Sequence, residues 1–150
     1  MNHALADYDE AILLDPKDSQ AFNNRANVHE RQGHYEKAAA DFNETIQMDP
    51  NYENAYNDLA WLLATCPQAS IRDGKRAVEL AMKACELSAW KDYAATDTLA
   101  AAYAETGDFV NAMKWENSYV ASLDEKASDL VDARKRLALY MDHKPYREGK

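Results

Sequence analysis

The chain has 150 residues, 47% of them hydrophobic, and a formal net charge of −9. That is length enough for one domain with a substantial core. The acidic balance excludes nucleic acid and anionic membrane surfaces as partners, and admits a neutral or basic polypeptide. No apolar run approaches the roughly 20 residues that span a bilayer. Only four Gly and four Pro occur, while Ala, Leu, Glu and Lys abound, a composition that favours helix over sheet.

The first segment, residues 1–14, places Ala4, Leu5, Tyr8, Ala11 and Ile12 at the spacing of an amphipathic helix. Asp15-Pro16 closes it, because proline lacks an N–H and clashes with the preceding turn. A second helix starts after Asp18-Ser19, both good N-caps, and ends at Gln32-Gly33, where glycine takes the left-handed conformation. A third carries Ala38, Ala39, Phe42, Thr45 and Ile46 and closes at Asp49-Pro50. The two Asp-Pro pairs are 34 residues apart, and the segments before them align without a gap. Further on, Ala94–Glu105 followed by Thr106-Gly107-Asp108-Phe109 copies Ala21–Arg31 followed by Gln32-Gly33-His34-Tyr35. Gly33 and Gly107 are 74 residues apart, so the middle unit is six residues longer than the first. The excess falls in Cys66–Arg72, a loop by composition. Asp73 reads as the N-cap of the helix that follows.

These residues carry a resemblance to the tetratricopeptide repeat, a helix–turn–helix unit of that period. Phe22, Ala26, Ala38, Phe42 and Pro50 match its pattern in the first full unit, Tyr56, Leu59, Ala60 and Ala77 in the second, and Leu99, Ala100, Tyr103 and Ala112 in the third. Arg25, His29, Glu116 and Asp124 depart from it, standing where Leu, two aromatics and Pro are expected. Ala55–Ala112 is similar to a subfamily common in bacterial repeat proteins, and the tail Lys144–Glu148 to that subfamily's ending. The resemblance implies an all-α right-handed α-solenoid of antiparallel helix pairs, about eight helices in one domain over residues 1–150. Residues 1–16 form a half repeat, 19–52, 53–92 (with a loop at about 66–73) and 93–124 full repeats, 125–141 a capping helix and 142–150 a tail. The cap is expected to bury Leu130, Val131, Leu137, Ala138 and Met141 and to expose Lys126, Asp129, Asp132, Arg136 and Asp142. The unpaired first helix suggests a piece of a longer array. Its stripe of Leu5, Tyr8 and Ile12 is a candidate for homo-oligomerisation.

In such a stack the first helix of each pair lines a concave groove, and its polar positions are candidates for binding. Asn23, Asn24, Asn27 and Arg31 fall there in the first unit, Asn54, Asn57, Asp58 and Trp61 in the second, and Asp97 and Ala101 in the third. An Asn amide both donates and accepts, so recurring Asn suits the backbone of an extended peptide. Trp61 offers a large ring with a donor N–H. Glu30, Asp58, Asp97 and Glu105 make the groove acidic, offset only by Arg31. Family members that bind the C-terminal carboxylate of heat-shock chaperones share a clamp of Lys and Arg with Asn. Here Asn27 fits, but Asn23, Ala94 and Thr98 stand where the cations are wanted, so that ligand is disfavoured.

No catalytic constellation is legible. His29 and His34 are five residues apart and cannot share a metal, and no paired CxxC, HExxH, EF-hand or P-loop occurs. Neither a metal nor a cofactor is implied. Cys66 and Cys85 read as reduced thiols, since Cys85 lies roughly 18 Å along its helix and a disulfide needs Cα atoms within about 7 Å. The reading is a scaffold for protein or peptide partners, with a self-assembling unit and an accessory domain of a larger enzyme as alternatives. The sequence names neither partner nor compartment.

Overall fold

The computed structural model describes residues 2–149. Among the described residues eight helices follow one another: α1 Asn2–Leu14, α2 Ser19–Arg31, α3 Tyr35–Met48, α4 Glu53–Thr65, α5 Gly74–Leu87, α6 Tyr93–Thr106, α7 Phe109–Ser122 and α8 Leu130–Met141. Among the described residues there is no strand, and no helix is long and apolar enough to cross a membrane. Each helix packs on the next, and α4 also touches α2 and α6, so α2, α4 and α6 form one layer of an α-solenoid.

Helix ends are set by local chemistry. Asp18, Asp73, Asp92 and Asp108 cap α2, α5, α6 and α7, each side chain accepting an orphan N–H of the first turn. After α2, His34 N donates to His29 O (2.9 Å) and Gly33 N to Glu30 O (2.9 Å), with Gly33 at φ +76°. Gly107 closes α6 in the same way at φ +85°. The equivalent turns after α5 and α8 use Ala89 (φ 52°), Trp90 (φ 60°) and His143 (φ 55°), without glycine.

The small residues shared by the three units have a clear physical role. Ala26, Ala60 and Ala100 on one helix of each pair, and Ala38, Ala77 and Ala112 on the other, are all fully buried. With only a methyl to accommodate, the paired backbones approach closely and bury Phe42, Leu59, Leu62 and Leu99 between them. Gly74 opens α5 against the end of α6, where an added Cβ would lie 3.0 Å from Thr106 N.

Two of the departures from the repeat pattern bond to side chains of other helices. Arg25 makes a two-pronged bond to Asp41 (2.8 Å at both Nε and Nη2), and Nη1 reaches Asp9 at 2.7 Å, tying α2 to α3 and α1. Glu116 is fully buried and meets Arg136 of α8 at 3.2 Å.

The last helix differs from its expected form. It begins at Leu130, and residues 124–129, half of them acidic, form turns such as Ala127 N to Asp124 O (2.9 Å). Its buried side is Leu130, Ala133, Arg136 and Tyr140, while Val131, Ala138 and Met141 are exposed. Arg136 therefore lies inside rather than on the solvent face, where it pairs with half-buried Asp97 and donates a hydrogen bond to buried Glu116.

Candidate functional site

The exposed side of the α2–α4–α6 layer encloses a cavity of about 740 Å³. α2 contributes Asn27, Glu30 and Arg31 to it, α4 contributes Asn57, Asp58 and Trp61, and α6 contributes Ala94, Asp97 and Thr98. The helical spacing explains the grouping, since residues three and four apart share one face. Tyr35 adds to one rim, and Glu148 and Gly149 of the segment after α8 form another wall.

The other positions expected on this face lie elsewhere. Asn23 is buried, Asn24 half-buried and Asn54 exposed, and none lines the cavity. Ala101 does not line the cavity: it is 2% exposed and packs into the core cluster with Leu62 and Leu63 of α4. On α1, Leu5, Tyr8 and Ile12 are half-buried, and Leu13 and Leu14 are the exposed apolar pair, at 80% and 79%.

The charged side chains lining the cavity are mostly acids, Glu30, Asp58, Asp97 and Glu148 against Arg31. Asn27 Nδ2 donates both to Asp58 Oδ2 and to Asn23 O, at 3.2 Å each, so its donors are already committed across α2 and α4. Asn57 Oδ1 and Asn23 Oδ1 are buried and accept no hydrogen bond. Glu30 and Asp58 add two carboxyls. Burial, with Glu148 and Asp58 nearby, pushes the Glu30 carboxyl up to about 8, although Arg31 pulls the other way. Burial also raises Asp58, against the amides hydrogen-bonded to it.

One end of the cavity rests on a buried charge cluster. Arg136 donates from Nη2 to Asp97 (2.9–3.0 Å) and from Nε to Glu116 Oε1 (3.2 Å). Its guanidinium also lies within about 6 Å of the rings of Trp61, Tyr119 and Tyr146. Burial and then the Asp97 carboxylate push Glu116 up to about 9, only partly offset by Arg136. The cluster therefore holds an Asp97–Arg136 ion pair beside a protonated Glu116. It anchors Asp97 and backs Trp61 from behind the groove.

The segment after α8 was absent from the sequence-based site. It turns back over the inner layer and caps α4, whose last carbonyls are otherwise orphaned. Glu148 N donates to Thr65 O at 3.0 Å and Arg147 Nη1 to Ala64 O at 3.4 Å. Arg147 Nη2 pairs with Glu105 at 2.6 Å, the Tyr146 ring sits 5.8 Å from that of Trp61, and Trp61 Nε1 donates to Glu148 Oε2 at 3.3 Å. Contacts across more than eighty residues have no local periodicity to announce them. The available signal was the Tyr-Arg-Glu run at 146–148, with its ring, cation and acid.

The family model described as tetratricopeptide repeat matches residues 19–52. No curated protein matches the chain. Among solved structures, it is similar over 95% of its length to a tetratricopeptide repeat protein from Parabacteroides merdae ATCC 43184, at 20% identity and a TM-score of 0.78. The chain covers 53% of that protein, about half its length. Repeats of this kind generally mediate protein–protein interaction. With the helix pairs, the alanine contacts and the matched unit in agreement, the chain carries a tetratricopeptide repeat at residues 19–52 within an all-α solenoid fold.

Proposed function

We propose that the chain is an interaction module that holds an extended, neutral or basic segment of a protein partner along the inner faces of α2, α4 and α6. The observation that carries this reading is the cavity of about 740 Å³, with Trp61 on its wall and acids predominating among its charged lining residues. A cavity of that size takes a few side chains of a peptide. The carboxyls of the lining call for donors, which backbone N–H groups and Lys or Arg side chains supply. Trp61 offers an apolar face to the same segment and a face over which a cation can sit. A partner presenting a carboxylate meets this acidic lining and is repelled.

The double variant Trp61→Ala, Asn57→Ala tests it. Partner capture in pull-downs falls by on the order of tenfold or more, since losing a buried aromatic anchor alone costs about 1–2 kcal/mol or more. Undiminished capture by a folded variant removes the groove from the account.

A further inference from the structure

The groove's best-placed recognition groups are already engaged within the chain. Glu148 satisfies two of them: its backbone N–H meets Thr65 O (3.0 Å), and its carboxylate accepts from Trp61 Nε1 (3.3 Å). An extended peptide residue offers the same pair, one donor and one acceptor. We propose that the tip of the segment after α8, Glu148-Gly149, is an intramolecular placeholder, which a basic partner segment displaces when it takes over Trp61 and Thr65. This inference rests on the groove reading above and concerns its regulation.

The segment divides into a half-buried part and an exposed one. Tyr146 and Arg147 are half-buried and anchored, by the Trp61 and Arg136 side chains and by the 2.6 Å pair with Glu105. Glu148 and Gly149 are exposed. The tip is also electrostatically misplaced. Its carboxylate faces Glu30 and Asp58 across the cavity, and Glu148 is one reason the Glu30 carboxyl resists ionisation. A basic segment on the same groups replaces that repulsion with attraction, while Arg147 continues to cap Ala64. The tip thus lowers the population of open groove without unfolding anything, and the apparent affinity falls by that fraction.

The test compares Glu148→Pro with Glu148→Gln in the full chain. Both remove the same charge, but proline also removes the N–H that Thr65 accepts, whereas glutamine keeps both contacts. The probe is a labelled peptide of alternating lysine and alanine, read by fluorescence anisotropy, with the Trp61 indole resonance reporting tip release. Glu148→Pro binds the peptide more tightly than Glu148→Gln, by on the order of three- to tenfold, and its Trp61 indole proton is shifted before peptide is added. Equal or weaker binding by Glu148→Pro, while the parent chain binds, overturns the placeholder and leaves the groove reading standing. No binding by parent or variants overturns the groove reading, and this inference with it.

Discussion

Glu116 has no exposed surface and shares one guanidinium with Asp97. Two carboxylates and one cation cannot all be charged at low cost away from water, so the acid with least solvent keeps its proton. Its pKa rises from an ordinary 4.5 to about 9 in the folded chain. The unfolded chain therefore loses this proton as the pH climbs past 4.5, while the folded chain keeps it until about 9. The group's contribution to stability is full below the first value and declines between the two. Glu116→Gln lacks that titration and keeps the hydrogen bond to Arg136. Its stability relative to the parent therefore rises with pH across this window, by an amount on the order of a few kcal/mol in total, as urea unfolding at a series of pH values measures. A difference that stays constant with pH contradicts the protonated Glu116.

The helix ends show what chain-local reasoning can and cannot reach. Gly33 and Gly107 are legible because only glycine enters the left-handed region at little cost, and both are found there. The same turn after α5 is invisible to that rule, since Ala89 and Trp90 occupy it with positive φ. Trp90 is held there by its stack on Trp115, with centroids 5.2 Å apart and planes 19° from parallel. Ala89 has no comparable tether, so Ala89→Gly raises stability by about 0.5–1 kcal/mol, measurable by thermal unfolding; a loss of stability contradicts strain at this turn. The register of α8 escaped for a related reason. Its apolar residues suggest one face, but the buried side follows Arg136, a charge whose partners Asp97 and Glu116 sit on other helices. The repeat period, the alanine contacts and the groove's Trp61, Asn57, Asp58 and Asp97 were all legible, since each depends on spacing within one helix. Ala101, Arg136 and the segment after α8 were not, since each is placed by contacts between distant parts of the chain.

At the scale of the molecule, the solenoid turns a weak local property, the polar side of three amphipathic helices, into one continuous surface. No single helix could hold a partner. Stacked, α2, α4 and α6 bring Glu30, Asp58 and Asp97 around Trp61, and α8 supports that ring from behind through Arg136. On the proposed reading, the chain's net charge of −9 adds the same preference for basic segments at long range. The most direct measurement is an NMR titration of the full chain with the lysine–alanine peptide, following backbone amides, Asn side-chain amides and Trp indoles together. The account predicts shifts concentrated at Asn27, Asn57, Asp58, Trp61 and Thr98, weakening as salt is added. Shifts concentrated on α3, α5 and α7, or no saturable shift at all, would contradict it.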